Sequence, residues 1–364
     1  MSAHEIIIWI MAVFAVLGAL DRIFGNRFGL GKEFEEGILA MGSLAIAMIG
    51  VITLAPVLAA VLKPVIVPVY RFLGADPAMF AGTILACDMG GGSLAQELTA
   101  DGDAAMLGGV LTGSMLGATI VFTIPVAMGI LSGEDRPAMA KGILCGIVTI
   151  PVGVLVGGLV AGFSPVMVLK NLIPIVLIGA LIALGLWKAE KWMIKGFSIF
   201  GKAIIILITV GLAAAIVESL TGFAILPGMA PIEEGFETVG AIAIVLAGAF
   251  PLVYVLTKLL KKPLMKLGNV LGINDTAAAG LVASLANSIA TFSMVKDMDE
   301  RGKVVNIAFA VSAAFVFGDH LGFTAGFAPE MLPAVIVGKL SGGITAILVA
   351  LWLTRKDRKD KTSS

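Results

Sequence analysis

Long apolar runs separated by short charged loops dominate the hydrophobic pattern of this chain. A helix needs ~18–20 consecutive apolar residues to cross a bilayer, and several of the runs reach that length. The candidate spanning segments are 5–20, 37–62, 104–131, 137–163, 167–187, 199–218, 236–258, 303–327 and 331–354. The pattern therefore predicts an all-α polytopic membrane protein.

Segment 276–296 is apolar but carries polar residues at the spacing of one helix face. These residues are Ser284, Asn287, Ser288 and Thr291. Lipid cannot satisfy such groups, so at membrane depth they must face protein or a water-filled cavity. We therefore expect Asn287 and Ser288 to contribute to a substrate site.

Segment 78–98 carries a carboxylate and three consecutive glycines, at 90–92. Each glycine disfavours a helix by about 1 kcal/mol relative to alanine, so we expect the helix to break there. A broken helix exposes backbone groups to a ligand, and a neighbouring carboxylate can neutralise a cation. The predicted site residues here are Asp88, Gly90, Gly91 and Gln96. The alternative interpretation is that the glycines serve only close helix packing.

The charged loops indicate how these two segments lie in the membrane. The basic stretch 355–359 is expected to be cytoplasmic under the positive-inside rule. If 276–296 crossed fully, the lysine cluster at 258–266 would lie outside, whereas a re-entrant segment keeps it inside. We therefore predict that 276–296 re-enters from the cytoplasmic side and 78–98 from the outside. The alternative is that every apolar segment crosses fully.

The chain also repeats itself at a shift of 198 residues, because Glu-Glu-Gly occurs at 35–37 and again at 233–235. The same register pairs Lys63 with Lys261 and Asp101 with Asp299. With an odd number of crossings between them, the halves form two inverted structural repeats with broken or re-entrant helices and a linker helix. The predicted domains are a first repeat 1–165, a linker helix and cytoplasmic loop 166–197, a second repeat 198–354, and a basic cytoplasmic tail 355–364.

Two more polar sites lie inside apolar runs. Asp319 and His320 are neighbours within 303–327, and Glu218 ends the run 199–218. Intramembrane carboxylates are functional candidates by default, and a histidine can bind a substrate, carry a proton or form a structural pair. The sequence supports two interpretations of Glu218 equally: a residue of the substrate site, or a residue at the membrane–water interface. Phenylalanines near Asp319 could hold an ammonium group by cation–π contacts, although packing explains any single one equally well.

Composition removes several classes of function. Hydrophobic residues make up 59% of the chain and charged residues 14%, which is far from the roughly 25% charged of soluble domains. Zero net charge leaves no basic patch for nucleic acid. Cys87 and Cys145 both lie in apolar segments, so neither a disulfide nor a metal site is indicated. No phosphate loop, nucleophile elbow or cofactor motif is present, so we predict no enzyme. The duplicated membrane domain is typical of a transporter, with its substrate site where the two repeats meet.

The residues resemble the ethanolamine permeases over nearly the whole chain. The resemblance is carried by Ala-Cys-Asp-Met-Gly-Gly at 86–91, Leu-Pro-Gly-Met-Ala-Pro at 226–231, the stretch 245–256, and Phe-Gly-Asp-His-Leu-Gly-Phe-Thr-Ala at 317–325. Gly92 departs from the pattern, because a bulkier, often aromatic residue is expected after Asp-Met-Gly-Gly. The tail is also short.

The resemblance implies uptake of ethanolamine, as a small protonated amino alcohol, across the cytoplasmic membrane of a bacterium. From the residues themselves, Asp88 or Asp319 is expected to neutralise the ammonium, with Asn287 or His320 on the hydroxyl. The alternatives are a channel-like facilitator, an ion-coupled transporter of another small polar solute and, more distantly, an intramembrane aspartyl protease. The coupling ion and the oligomeric state, including a homo-oligomer, stay open.

Overall fold

The computed structural model describes residues 2–355 and is helical throughout that part of the chain. The predicted basic tail 355–364 lies outside the described residues, apart from Arg355. The α-helices are α1 (Ala3–Ile23), α2 (Leu30–Phe72), α3 (Ala78–Ile84), α4 (Gly91–Leu98), α5 (Gly102–Ala105), α6 (Ile124–Ile130), α7 (Arg136–Ile147), α8 (Ile150–Val160), α9 (Pro165–Thr221), α10 (Ile232–Leu271), α11 (Asp275–Ala286), α12 (Ser288–Met294), α13 (Glu300–Ala313), α14 (Asp319–Phe327) and α15 (Leu332–Leu353). Between α5 and α6 the helix continues as π-helical turns, Met106–Gly117 and Thr119–Thr123.

Within residues 2–355, eight helices are long and apolar enough to cross a membrane by length and composition. The apolar spans predicted at 167–187 and 199–218 are the two arms of α9, which separate at Ala189 where the backbone leaves helical geometry (φ −141°, ψ 42°). Helices α2 and α10 are longer than predicted, at 43 and 40 residues, against the ~20 that span a bilayer. Both contain internal prolines, which bend helices.

The run 303–327 is not the single spanning helix that the hydropathy predicted. Helix α13 ends at Ala313 and α14 begins at Asp319, with an irregular connection at 314–318. Phe315 adopts a positive φ of 62°, which is rare for a residue with a side chain. An apolar pattern alone could not show this break, because the connection itself is composed of apolar residues and one glycine.

The segment 276–296 is also not one helix with one polar face. Asn287 leaves helical geometry (φ −156°, ψ 126°) and separates α11 from α12. The Thr291 hydroxyl donates to the carbonyl of Gly280 at 2.9 Å, although these residues would lie about 16 Å apart along a continuous helix. The polar side chains meet because α12 folds back on α11, as in the 2.8 Å contact between the hydroxyls of Ser284 and Thr291.

Each of the two short helix pairs, α3–α4 and α11–α12, is a hairpin whose ends lie together. The Thr99 hydroxyl donates to Asp76 at 2.9 Å, which joins the end of the first hairpin to its start. The backbone N–H of Asn274 donates to Asp299, also at 2.9 Å, and closes the second. Both hairpins therefore leave on the side from which they enter.

Candidate functional site

Two cavities in the core share one carboxylate, that of Asp319. The inner cavity measures about 40 Å³ and is lined by Ala86, Asp88, Met89, Ala118, Phe122, Phe315, Asp319 and His320. The vestibule measures about 380 Å³ and is lined by Glu33, Phe250, Val253, Tyr254, Thr257, Lys258, Ala286, Asn287, Phe317, Gly318 and Asp319. The inner cavity lies where the interrupted backbone of α3–α4 meets the interruption between α13 and α14.

The interruption in the first hairpin places Asp88 at the inner cavity. The predicted helix break is confirmed, and it falls at 85–90, just before the glycines at 91 and 92 begin α4. Gly90 has a φ of 86°, and a Cβ atom there would lie 1.9 Å from Cγ1 of Val51. Only glycine fits this turn without strain, because both the backbone angle and the space exclude a side chain.

Backbone hydrogen bonds hold the second interruption against the tip of the second hairpin. The N–H of Phe315 donates to the carbonyl of Ser284 at 3.1 Å, and the N–H of Phe317 donates to that of Leu285 at 2.9 Å. The last carbonyls of α11 have no partner within their own helix, so these bonds satisfy both elements. Asp319 and His320 follow at once, on the first turn of α14.

Both carboxylates lie at the N-terminal ends of short helices. Asp88 precedes α4, and Asp319 opens α14. A helix N-terminus carries a partial positive charge that attracts anions. Placing a carboxylate there offsets this charge and leaves a site suited to a cation.

The charged groups around Asp88 include a lysine that the sequence analysis did not select. Lys339 on α15 is only 1% exposed. Its Nζ donates to the backbone carbonyl of Ser114. The residue before Ser114 packs on the loop that holds Asp88, because a Cβ at Gly113 would lie 3.1 Å from the backbone N of Cys87. On the other side, Nε2 of His320 lies 3.8 Å from Oδ1 of Asp88.

Other buried carboxylates in the described chain have full sets of partners. Asp21 accepts two backbone N–H groups at 3.0 and 2.9 Å. Asp135 accepts the Ser132 hydroxyl at 2.6 Å and pairs with Lys303 at 2.8 Å. Within residues 2–355, the side chain of Asp319 has neither a hydrogen bond nor an ion pair, which is unusual for a carboxylate in a core.

Aromatic rings form much of the wall beside these groups. Phe315 contacts Phe122 edge-on at 5.5 Å between centroids, and its ring lies 5.2 Å from that of His320. In the vestibule, Phe250, Tyr254 and Phe317 line the path to Asp319. Such faces attract cations and cover short methylene chains.

Some of the predicted site residues lie together at the two cavities, and the others lie away from them. Asp88, Asp319 and His320 line the inner cavity, and Asn287 lines the vestibule. Gly90 and Gly91 shape the loop behind Asp88. Ser288 is fully buried, and its hydroxyl has no hydrogen-bond partner among the described residues. Gln96 is exposed on α4, and Glu218 is half-buried near the end of α9, so neither reaches the cavities.

Two residues of the site were missed from sequence, and one of them left a signal. Lys339 is the only charged residue between Glu330 and Arg355 and sits within an apolar run, which marks it as costly to bury. Phe122 left none, because a phenylalanine in an apolar helix is ordinary. At Gly92, where the resemblance led us to expect a bulkier side chain, the ring of Phe327 fills the space. A Cβ at residue 92 would lie 2.9 Å from that ring.

Cys87, Asp88 and His320 also bring three potential metal ligands within 4.8 Å of one another. The sequence indicated no metal site, because both cysteines lie in apolar segments. The buried ammonium of Lys339 next to Asp88 and Cys87 repels a divalent cation, so this group is better suited to a monovalent organic cation.

Eight apolar spans, helices interrupted at their centres, and a charged cavity at the interruptions define a polytopic membrane transporter. The chain belongs to a known family of this class: residues 3–353 match the model of the ethanolamine utilisation protein EutH.

Proteins named "Probable ethanolamine permease EutH" are similar over nearly their full length. The protein from Listeria monocytogenes is 62% identical, covering 99% of this chain and 96% of its own. The Salmonella typhimurium protein is 50% identical, covering 98% of this chain and 97% of its own. An "Uncharacterized protein YxeR" from Bacillus subtilis is 52% identical over 97% of this chain. No solved structure matches.

Proposed function

We propose that this protein carries ethanolamine, as its ammonium cation, across the cytoplasmic membrane by alternating access at the inner cavity. The observation that carries the proposal is a buried cavity with two carboxylates, an unbonded imidazole and aromatic walls, next to a larger vestibule. The printed names of the relatives support the choice of substrate.

The size and chemistry of the inner cavity match this solute. About 40 Å³ holds roughly three water molecules, at ~10–15 Å³ each, which is close to the bulk of two carbons, one nitrogen and one oxygen. A carboxylate neutralises the ammonium, the rings of Phe122 and Phe315 cover the methylenes, and His320 is available to the hydroxyl. An extended peptide does not fit, which disfavours the aspartyl protease alternative.

The bounds of the helices support the repeat that the shift of 198 residues predicts, and the charged loops favour its inversion. Helix α2 ends at Phe72 and α10 at Leu271, and hairpin α3–α4 begins at Ala78 where α11 begins at Asp275. Helix α5 begins at Gly102 and α13 at Glu300. The two hairpins then re-enter from opposite faces, with 1–165 and 198–354 as the repeats.

Contacts between loops agree with the predicted sides of the membrane. In the re-entrant topology the loops that carry Asp135 and Lys303 both lie on the cytoplasmic side, and these two residues pair at 2.8 Å. On the predicted outer side, the backbone N–H of Asp76 donates to Asn171 at 2.7 Å. The vestibule is lined by Glu33 and Lys258, which are both on the cytoplasmic side in this topology. We propose that this conformation is open towards the cytoplasm and that the C-terminus is cytoplasmic.

Uptake of radiolabelled ethanolamine into proteoliposomes tests the proposal. A carrier gives saturable uptake and counterflow, in which unlabelled ethanolamine inside accelerates entry of the label. Conductance without saturation would indicate a channel, and no uptake with or without proton and sodium gradients would refute ethanolamine as the substrate.

A further inference from the structure

Lys339 lies in the protein behind the loop that holds Asp88, and not in the space that a substrate would occupy. Its side chain is 1% exposed and belongs to the lining of neither cavity. Its ammonium donates to the carbonyl of Ser114, in the π-helical turns Met106–Gly117. Ser114 follows Gly113, where a Cβ would lie 3.1 Å from the backbone N of Cys87, so the ammonium is held behind the loop that carries Asp88. A buried lysine without a counter-charge is strongly destabilising, so the lysine and Asp88 stabilise each other.

Asp319, unlike Lys339, is accessible from both cavities, and its carboxylate has no cationic partner among the described residues. It lines the inner cavity and the vestibule. No hydrogen bond or ion pair reaches its carboxylate from the part of the chain that the structure describes. The N-terminus of α14 compensates only about half a charge. Asp319 and Asp88 also repel each other, which raises the cost of leaving both without cations.

With both carboxylates and Lys339 ionised and His320 neutral, the charges around the inner cavity sum to one uncompensated negative charge. Two carboxylates contribute two negative charges, Lys339 contributes one positive charge, and a neutral His320 adds none. One monovalent cation completes the balance. A divalent cation would reverse it, and an anion would worsen it.

We infer that Asp319 is the carboxylate that neutralises the substrate ammonium, and that Lys339 is the standing counter-charge of Asp88. This inference rests on the proposed function, and it names the binding group that the sequence left open between two aspartates. Asp88 is then a positioning residue, which together with Lys339 sets the charge of the cavity without holding the substrate.

Two double variants with the same net charge test the assignment. Asp88→Asn/Lys339→Met keeps only Asp319, and Asp319→Asn/Lys339→Met keeps only Asp88. We expect the first to take up ethanolamine within roughly tenfold of the wild type, because an ion pair replaced on both sides is often nearly neutral. The second should lose roughly a hundredfold or more, because the substrate cation then lacks its partner. Uptake by Asp88→Asn alone should be lower than uptake by the first double variant, because Lys339 then remains as a buried charge without a counter-charge.

The opposite ranking, with uptake only in the variant that keeps Asp88, would overturn the assignment. Equal uptake by both double variants, or loss in both while they remain monodisperse in detergent, would overturn it as well. A wild-type protein without ethanolamine uptake refutes the proposed function instead, and the same pair is then assayed with the ammonium ion that the wild type does carry.

A measurement on the wild type keeps the inference testable if a variant fails to fold. A hydrophilic carbodiimide modifies accessible carboxyl groups, and peptide mapping by mass spectrometry locates the adduct. We expect modification at Asp319 ahead of Asp88, and protection of Asp319 by ethanolamine or methylammonium. Modification of Asp88 first, or protection of Asp88 alone, would contradict the assignment without reference to transport.

Discussion

Nε2 of His320 lies 3.8 Å from Oδ1 of Asp88, which is beyond hydrogen-bonding distance. Nδ1 of the same ring is buried and has no partner among the described residues. The two side chains are therefore neighbours that do not bind each other. A buried ring nitrogen without a hydrogen bond is unusual, which makes His320 a candidate to bind the substrate.

His320→Gln tests whether that partner is the substrate hydroxyl. Glutamine keeps a hydrogen-bonding group but cannot reproduce the position of the ring, so we expect the apparent KM for ethanolamine to rise about tenfold. The response to an imposed proton gradient should not change. Proteoliposome uptake measures both, with His4→Gln, at the other histidine, as the control.

A proton-carrying role for His320 makes a different prediction. The variant would then lose gradient-driven accumulation while retaining exchange, because glutamine does not titrate in this range. Wild-type uptake that ignores a proton gradient would exclude this role altogether.

Gly90→Ala should disturb the loop that holds Asp88. Alanine at a φ of 86° costs about 1–2 kcal/mol, and its Cβ also meets Val51. We expect a lower midpoint of thermal unfolding in detergent together with a severe loss of uptake. The matched control is Gly74→Ala, which has a φ of 71° but nothing within 4 Å. If both variants behaved alike, close packing at residue 90 would not matter.

The pair formed by Asp135 and Lys303 should stabilise the protein in a pH-dependent way. Burial raises the pKa of Asp135, but hydrogen bonds from Lys303 and Ser132 outweigh this and hold it below the usual value of 3.8. Because the pKa is lowered on folding, the stabilisation is present above the unfolded pKa. It is lost as the pH falls through the lower, folded pKa.

Asp135→Asn should therefore lower the stability by about 1.5–3 kcal/mol at pH 7, and the gap to wild type should narrow in strong acid. Thermal unfolding across pH measures it. Glu300→Gln is the control, because Glu300 binds the same ammonium at 2.8 Å but is 73% exposed, and such surface pairs contribute little. Equal effects of the two variants would contradict the burial argument.

Single cysteines test the predicted membrane topology. In a background lacking Cys87 and Cys145, cysteines replacing Lys266 and Lys296 should react with an impermeant thiol reagent only from the cytoplasmic side. A cysteine replacing Asp103 should react only from outside. Labelling of position 266 from outside would show that 276–296 crosses the membrane, and the re-entrant hairpin and the inverted repeats would then both be wrong.

Sequence patterns predicted the membrane class and the polar segments well, because lipid makes polar residues in apolar runs conspicuous. Asp88, Asp319 and His320 were found this way. The inferred counter-charge of Asp88 was not found, because Lys339 lies 251 positions away along the chain and its place depends on the packing of α15. The polar residues at 284–291 were wrongly predicted to form one face of a single helix. Their spacing fits a helical hairpin as well as a single helix, so the sequence could not distinguish the two.

The two bonds from Phe315 and Phe317 to the carbonyls of α11 are made by main-chain atoms alone. No side-chain substitution except proline removes such a bond, so the mechanical coupling of Asp319 to the second hairpin is independent of residue identity. Asp88 belongs to the other hairpin and shares none of these bonds. Side-chain substitutions can therefore alter selectivity while these main-chain hydrogen bonds are kept. A carrier built this way could change its substrate without changing its conformational mechanism.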